Sequence, residues 1–393
     1  MRCPLAFAAI SLSALLVVSE ADAASRYKVL HSFGNGKDGA GVWAGLALGS
    51  KGDLYGATSG GGAYQNGTVF ELEPGPGGKW AETILHSFCA KSHCPDGWGP
   101  VSTPTLDAAG NLYGNDQTTT FEMTPGSGAW GFEVIYSAGA RDDSLVLDAA
   151  GNVYSDYLSL GINYHGAISE LTPGPDGWKE KDLYDFCPVG LKCLDGEAPE
   201  YGLTWDAAGN LYGVTTYGGT RGHGVAFELE HAAEGWKEHV LYDYYWYPPS
   251  SSLVFDNSGN LYGTTFFSEG YGCGTVYQLS AQTNGHWRRT NIYTFPHLVP
   301  DGGCPMAPVV YDPRLNVIYG TATAGGDPVC QCGVIFKLSP QAGGKWKYTV
   351  LYKFHGPDGN GPNGLTIDSK GRLYGTTVAG GAYGYGTTFE LTP

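Results

Sequence analysis

The heptapeptide AAGNLYG occurs twice in the sequence, at residues 108–114 and at residues 207–213. Variants of it occur at five other places: SKGDLYG at 50–56, AAGNVYS at 149–155, NSGNLYG at 257–263, RLNVIYG at 314–320 and SKGRLYG at 369–375. The tyrosines of these segments are separated by about 53 residues on average, and a period of this size indicates a repeat protein. Each repeat of such a protein buries its apolar surface against its neighbours. The sequence therefore predicts seven structural repeats.

Three other phrases accompany the tyrosine phrase in nearly every repeat. An apolar stretch such as YGLTWD (201–206) precedes it, a stretch such as GTVFELEP (67–74) follows it, and a tryptophan with an apolar run such as WAETILHSF (80–88) comes last. Each phrase alternates apolar and polar residues, which is typical of a β-strand, and turn-forming residues separate the phrases. Four strands in each of seven repeats predict an all-β fold, a seven-bladed β-propeller with four antiparallel strands per blade.

The composition agrees with a β-rich repeat protein. Glycine accounts for 62 of the 393 residues, aromatic residues for 13% and charged residues for 15%. Because interior glycine destabilises helices, and because disordered chains contain few aromatic and apolar residues, both a helical fold and a disordered chain are excluded. The formal net charge of −16 would repel a phosphate backbone, so we do not expect a nucleic-acid partner.

The two ends of the sequence complement each other. The last repeat ends at its third phrase, GTTFELTP (386–393), and lacks the tryptophan strand. Near the other end, YKVLHSF (27–33) matches the run ILHSF (84–88) of the first tryptophan strand. We therefore expect the N-terminal strand to complete and close the last blade, which removes the open edges that an unclosed array would expose.

The first 24 residues have the features of a secretory signal peptide. Arg2 is followed by an apolar run at residues 5–18 and by Ala-Asp-Ala at residues 21–23. The run is shorter than the roughly 20 residues that a membrane-spanning helix needs. We expect residues 1–24 to be removed on export, residues 25–393 to form the propeller, and the mature protein to be secreted or periplasmic, without a membrane span.

The repeated string LYGTT…GG…GTVFELTP…W…LYSF resembles the tandem repeats called GloVer, which occur in exported bacterial proteins. The resemblance extends over nearly all of residues 26–393. The hairpin motif DxxGNLYG is more loosely similar to NHL-type propeller repeats. The resemblance implies export and a propeller, and it implies no particular reaction.

Alternating strand directions divide the turns between the two faces of a propeller. The first-to-second and third-to-fourth turns, such as DAAGN (107–111), lie on one face and are short. The second-to-third loops and the connections between blades lie on the other face, which we call the loop face. These segments are long and variable: the second repeat has a truncated loop at residues 115–119, and the third replaces the Gly-Gly loop with residues 157–165. Because binding residues concentrate in variable loops on a rigid scaffold, we expect the binding site there.

All eight cysteines of residues 25–393 lie on the loop face, and their even number agrees with an oxidising compartment. Two pairs each share one connection, and we expect a local disulfide in each: Cys89 with Cys94, and Cys187 with Cys193. The other four occupy neighbouring loops of the fifth and sixth repeats: Cys273, Cys304, Cys330 and Cys332. We expect cross-loop disulfides among them without a definite pairing, and a metal site at the C-x-C motif of residues 330–332 is the alternative.

Aspartate–glycine pairs recur in the connections between blades. These aspartates are Asp38, Asp96, Asp195, Asp301 and Asp358, and Asp142 and Asp143 stand at the same place in the third repeat. We expect them at the entrance of the central channel, where a ring of carboxylates would bind a cation such as Ca²⁺ or the hydroxyls of a sugar. The alternative is that each carboxylate bonds to its own backbone in a turn. A second set follows the first strands on the opposite face, and we interpret it as hairpin caps: Asp107, Asp148, Asp206, Asp256, Asp312 and Asp368.

One connection breaks the repeat pattern with aromatic residues. Residues 244–249 read Tyr-Tyr-Trp-Tyr-Pro-Pro, and the prolines restrict the backbone. Tyr245, Trp246 and Tyr247 are therefore candidates for an exposed platform that stacks on a sugar or on a proline-rich peptide. The alternative is that these rings pack against a neighbouring loop.

No Ser-His-Asp, HExxH, Walker or Rossmann motif occurs in the sequence. We therefore expect a monomeric, non-enzymatic binding protein without a cofactor, whose partner is an extracellular polysaccharide or protein. A structural role outside the cell is a further interpretation. The enzymatic alternative is a polysaccharide lyase or hydrolase on the loop face, with convergent acids and bases. Its candidate catalytic residues are Arg141, Asp142, Asp143, His93, His165 and His223. Three other histidines share repeat positions and are expected to be structural: His31, His86 and His355.

Overall fold

The computed structural model describes residues 25–34, 36–137, 145–158, 161, 164–188, 192–268, 272–296 and 300–393. The predicted signal peptide, residues 1–24, lies outside them. Seven antiparallel sheets follow one another along the chain, each with four strands in the order of a propeller blade, so the predicted seven-bladed β-propeller is confirmed. Two short 3₁₀ turns, Pro76–Gly78 and Ala342–Gly344, lie between third and fourth strands. Within the described ranges there is no α-helix, and no helix is long and apolar enough to cross a membrane.

The strands of blades 1 to 6 follow chain order from the inner to the outer strand. Blade 1 contains Ala47–Leu48, Leu54–Thr58, Thr68–Pro74 and Trp80–Ser87. Blade 2 contains Thr105–Leu106, Leu112–Asn115, Thr120–Thr124 and Gly131–Tyr136. Blade 3 contains Val146–Leu147, Val153–Tyr157, Ala167–Thr172 and Lys179–Asp185. Blade 4 contains Thr204–Trp205, Leu211–Tyr217, Val225–Ala232 and Gly235–Asp243, and Glu197–Pro199 also pairs with its second strand.

The remaining blades have the same plan. Blade 5 contains Val254–Phe255, Leu261–Thr265, Thr275–Ala281 and Trp287–Thr294. Blade 6 contains Val310–Asp312, Val317–Ala322, Val334–Pro340 and Trp346–Lys353. Blade 7 contains Asn360–Ile367, Leu373–Ala379, Thr387–Thr392 and the N-terminal strand Arg26–Ser32. A two-residue ladder joins Gly39–Ala40 to Gly60–Gly61 on the loop face.

The N-terminal strand closes the ring, as predicted. Arg26–Ser32 is the outer strand of blade 7 and pairs antiparallel with Thr387–Thr392 over nearly the whole length of both strands. In addition, the hydroxyl of Thr376 in blade 7 donates a hydrogen bond of 2.7 Å to the carbonyl of Ala44, just before blade 1. The first and last blades are therefore linked both by a strand ladder and by a buried side-chain contact.

The middle strands of each blade are buried, and their side chains fill the space between adjacent blades. In blade 4, a Cβ atom on Gly213 would lie 2.5 Å from the ring of Phe227 on the neighbouring strand. Phe227 packs in turn against Phe186 of blade 3, with ring centroids 5.1 Å apart. The glycine of the LYG phrase is therefore needed because a side chain there would displace the phenylalanine from the core.

The hairpin-cap interpretation of the second aspartate set is confirmed. In blade 4, Asp206 Oδ1 accepts the backbone N–H groups of Ala208 (2.8 Å) and Asn210 (2.9 Å), and Oδ2 accepts the side chains of Asn210 (2.9 Å) and Tyr212 (3.2 Å). Corresponding bonds occur at Asp107, Asp148 and Asp256, and arginine side chains replace asparagine at Asp312 and Asp368. These turns hold the short-turn face in one conformation.

Adjacent blades also meet through their outer strands, at contacts that we call junctions. A junction pairs a His or Tyr near the end of one outer strand with a residue near the start of the next one. Three junctions are ring stacks with centroids 3.9 to 4.0 Å apart: His86–Phe132, Tyr293–Tyr348 and Tyr352–Tyr27. Three other junctions bring a glutamate to this place instead. These are Glu82 between blades 7 and 1, Glu180 between blades 2 and 3, and Glu238 between blades 3 and 4.

Candidate binding site on the loop face

A cavity of about 550 Å³ opens at the centre of the loop face. Described residues at six of the connections between blades contribute to its wall, which places it on the axis of the propeller. These contributions come from Trp43, Val101, Tyr201, Ser250, Met306 and Pro362. A second cavity of about 200 Å³ shares Trp43, Val101 and Met306 and continues between the inner strands. The two cavities form an axial recess into which a ligand can enter from the loop face.

The wall of the larger cavity is mainly apolar. Its polar side chains include Ser250, Thr323, Asn363 and the hydroxyl of Tyr201, and none of its described residues is charged. The hydroxyl of Ser250 bonds to the carbonyl of Pro305 (3.1 Å), and the hydroxyl of Thr323 donates to the carbonyl of Cys304 (2.8 Å). The recess therefore offers apolar contacts with a few oriented polar groups in the part of its wall that the structure describes.

Exposed apolar side chains are distributed unequally between the two faces. Among the described residues, fifteen large apolar side chains are exposed, and all but two of them lie on the loop face. The aromatic members on this face are Trp43, Tyr64, Trp98, Tyr164, Tyr217, Tyr245, Trp246, Phe267, Tyr383 and Tyr385. The two exceptions are Val240, in an outer strand, and Leu315, in a hairpin of the opposite face. The loop face is therefore an aromatic surface on an otherwise polar exterior.

The aromatic run after blade 4 is part of this surface. Tyr245 and Trp246 are exposed, and the guanidinium of Arg221 lies 3.6 Å from the centre of the Tyr245 ring. Tyr247 is half-buried, and its ring centroid lies 6.1 Å from that of Phe267. The sequence-based expectation of an exposed platform agrees with the positions of Tyr245 and Trp246, whereas Tyr247 packs partly against a neighbouring loop.

The aromatic platform is connected to the axial recess. The ring of Phe267 contacts that of Phe266 at a centroid distance of 4.7 Å, and Phe266 lines the recess. Rings from two neighbouring loops therefore extend from the rim at Tyr247 to the axis. An elongated ligand can lie across this path with one end in the recess.

The aspartates of the Asp-Gly pairs are not at the channel entrance, which corrects the sequence-based expectation. Asp96 accepts the N–H of Cys89 (3.1 Å) and lies 3.0 Å from Nε2 of His86 in the outer strand of blade 1. Similar contacts to an outer strand, or to the residues after it, occur at Asp38, Asp195, Asp301 and Asp358. The carboxylates are drawn away from the axis because they satisfy the backbone and side chains where the outer strands end. Asp142 and Asp143 lie outside the described residues.

The candidate catalytic residues are not gathered at one place among the described residues. His165 Nδ1 lies 2.7 Å from Glu197 Oε1, next to the disulfide between Cys187 and Cys193. His93 is exposed in the connection after blade 1, and His223 is half-buried in the second-to-third loop of blade 4. None of the three histidines lines the axial recess. Arg141, Asp142 and Asp143 lie outside the described residues.

The eight cysteines form four disulfides on the loop face. The two expected local pairs, Cys89–Cys94 and Cys187–Cys193, are confirmed. Cys273–Cys304 links the second-to-third loop of blade 5 to the connection with blade 6, so one cross-loop pair is present. Cys330–Cys332 closes the C-x-C motif, and its thiols are therefore not free to bind a metal. Together these bonds restrict the loops that surround the recess.

Sequence reasoning did not identify Trp43, Trp98 and Met306 as parts of this surface. A usable signal was present for the two tryptophans, because they lie outside the repeated tryptophan phrase, as Trp246 does. A residue that departs from the repeat on the variable face is not needed by the blade itself. No comparable sequence signal distinguishes Met306. Its place in the recess depends on how connections from separate blades converge.

Comparisons with known proteins agree with the fold. The chain is similar to the extracellular domain of a protein described as a hybrid two component system from B. thetaiotaomicron. The two chains share 12% identity with a TM-score of 0.55, and the match covers 93% of this chain and 41% of the other chain. This chain is also similar to a protein from Lactobacillus plantarum, with 14% identity, a TM-score of 0.53 and coverage of 79% and 84%. A gluconolactonase from Xanthomonas campestris, with 15% identity and coverage of 74% and 84%, has a TM-score of 0.45, which supports no inference about activity.

The sequence comparisons address the family. The search of curated proteins found no match. Residues 243–393 match the model of the Gloeobacter/Verrucomicrobia repeat. These residues include blades 5 and 6 and the three C-terminal strands of blade 7, and the same phrases recur in the preceding blades. Residues 243–393 are therefore similar to the Gloeobacter/Verrucomicrobia repeat, and the seven-bladed arrangement agrees with a repeat protein of this kind.

Proposed function

We propose that this chain is a secreted, non-enzymatic binding protein that recognises an extracellular polysaccharide through its loop face. The observation that carries the proposal is the concentration of exposed aromatic side chains on that face. Sugar rings present apolar C–H faces that pack on aromatic rings, and a tryptophan such as Trp246 combines a large apolar area with a polar edge. The four disulfides support export, because disulfides persist in oxidising compartments.

The axial recess supports a ligand with ring-shaped units. Its volume of about 550 Å³ lies within the range of small-molecule sites, and its wall combines Trp43 and Phe266 with the amide of Asn363. Apolar faces and a few fixed polar groups suit a sugar unit, whose hydroxyls surround an apolar ring. The described part of the wall carries no charged side chain, whereas a lyase or hydrolase needs an acid and a base beside the scissile bond, so we favour binding over the enzymatic alternative.

The test uses immobilised polysaccharides and variants on opposite faces. Cellulose, xylan, chitin and pectin serve as probes for the purified chain. On the retained polysaccharide, Trp43→Ala and Trp246→Ala are each expected to weaken binding about 5- to 150-fold, since stacking on one aromatic ring contributes about 1–3 kcal/mol by analogy with base stacking. The matched control is Leu315→Ala, which removes an exposed apolar side chain from the opposite face and should leave binding unchanged.

Three results would contradict the proposal. Equal loss of binding in Leu315→Ala would show that the loop face has no special role. Release of soluble oligosaccharides from the retained polysaccharide would favour the enzymatic alternative. If none of the polysaccharides is retained while a protein ligand is, the surface recognises a protein.

A further inference from the structure

The junction between blades 7 and 1 brings a histidine and two carboxylates together, away from the loop-face recess. Nε2 of His31 lies 3.2 Å from Oδ2 of Asp38 and 3.6 Å from Oε2 of Glu82. The three donor atoms lie within 4.8 Å of one another. The side chains of Asp38 and Glu82 are only 7% and 12% exposed, and that of His31 is 22% exposed. Three potential metal ligands therefore converge on one partly buried point.

The other junctions show that this combination is particular to its place. Between blades 1 and 2, His86 and Asp96 are present, but Phe132 occupies the position of the glutamate and stacks on the histidine ring at 3.9 Å. Between blades 3 and 4, the carboxylates are Asp195 and Glu238, but Tyr184 replaces the histidine and donates to Asp195 at 2.8 Å. Each of these junctions lacks one of the three donors.

The cluster has more negative than positive charge. Within the described chain, His31 is the one basic group within 4 Å of the carboxylates of Asp38 and Glu82. Oε1 of Glu82 is buried without a hydrogen-bond partner. The protein alone therefore neutralises the negative charge of this carboxylate pair poorly, and a bound cation would neutralise it directly.

The distances of 3.2 and 3.6 Å from Nε2 of His31 to the two carboxylates fit a small divalent cation. Ligands at about 2.0–2.2 Å from a tetrahedral Zn²⁺ are separated from one another by roughly 3.3–3.6 Å, and a histidine with two carboxylates is a donor set that zinc accepts. Oδ1 of Asp38 accepts the N–H of Gly34 at 3.0 Å, which leaves Oδ2 directed at the histidine. A hydrogen bond of this kind orients a ligating carboxylate.

We propose that His31, Asp38 and Glu82 bind a divalent cation, with Zn²⁺ as the preferred ion. His31 belongs to the strand that closes the ring, Asp38 to the connection between blades 7 and 1, and Glu82 to the outer strand of blade 1. The cation joins all three elements. It therefore fastens the closing strand to blade 1, independently of what the loop face binds.

The test is Zn²⁺ binding by the purified chain, measured by calorimetric titration after treatment with a chelator. The wild-type chain is expected to bind one Zn²⁺, and thermal melting should shift to a higher temperature on its addition. His31→Tyr and Glu82→Gln should weaken binding at least 100-fold. His31→Tyr recreates a residue that the fold already holds at the equivalent position, Tyr184, so the variant should fold.

The matched control is His86→Tyr, the same substitution at a junction that lacks the glutamate. It should keep wild-type affinity for Zn²⁺ and the wild-type melting shift. The proposal is overturned if the wild-type chain binds no Zn²⁺, or if His31→Tyr binds it as tightly as wild type. Equal loss of binding in His86→Tyr would also overturn it, because the two histidines would then be equivalent.

Discussion

Asp96 and Asp206 lie on opposite faces of the propeller, yet both accept backbone N–H groups at the end of a strand. Asp96 bonds to Cys89 and His86, and Asp206 bonds to Ala208 and Asn210. Asp-Gly pairs occur both in cation-binding loops and in ordinary turns, so the sequence pattern alone does not separate the two uses. The two aspartates differ in the side chain that contacts the carboxylate: His86 of an outer strand contacts Asp96, and Asn210 of the same turn contacts Asp206.

Glu238 provides a pH-dependent test at the scale of one residue. Burial, with the neighbouring charge of Asp195, raises the pKa of Glu238 from 4.5 to about 7. The folded chain therefore holds a proton that the unfolded chain releases above pH 4.5. The stabilising contribution is complete below about pH 4.5 and is lost as the pH rises toward 7.

The expected result is a smaller loss of unfolding free energy between pH 4.5 and 7 in Glu238→Gln than in the wild-type chain. Denaturant unfolding at a series of pH values, in the presence of a chelator, measures this change in the free energy of unfolding. The control is Glu133→Gln, which removes an exposed carboxylate from the outer strand of blade 2. Identical pH profiles for Glu238→Gln, Glu133→Gln and the wild-type chain would show that Glu238 is ionised in the folded state.

At the scale of elements, the strands could be predicted from the sequence and the contacts between loops could not. Each strand phrase carries its own alternation of apolar and polar residues, and the match of residues 27–33 to the tryptophan strands was enough to place the closing strand. Cys89–Cys94 could be predicted because both residues lie in one short connection. Cys273–Cys304 could not, because it depends on the relative position of two loops.

The two kinds of disulfide should contribute differently to stability. Cys273 and Cys304 are 31 residues apart in sequence, whereas Cys89 and Cys94 are 5 apart. Because a longer closed loop restricts the unfolded chain more, replacing both members of the long-range pair by serine should lower the free energy of unfolding by about 1–2 kcal/mol more than the same change in the local pair. Denaturant unfolding of the two double variants measures this difference. Equal losses would mean that loop closure does not govern the contribution of these bonds.

At the scale of the whole molecule, the fold separates a uniform face from a variable one. The hairpin face is held by the same aspartate cap in successive blades, and the loop face carries the disulfides, the aromatic side chains and the axial recess. The sequence was sufficient to predict which face varies. It was not sufficient to predict the recess, because Trp43 and Met306 meet there only when the ring is closed.

Hydrogen–deuterium exchange with and without the retained polysaccharide tests the central claim, that the loop face is the binding surface, most directly. Binding should slow exchange in the segments around Trp43, residues 245–247 and Phe267, which carry exposed aromatic rings. Exchange in the hairpin at residues 206–210 should not change. Protection of that hairpin, with unaltered exchange around Trp43 and residues 245–247, would contradict the claim and place the ligand on the opposite face.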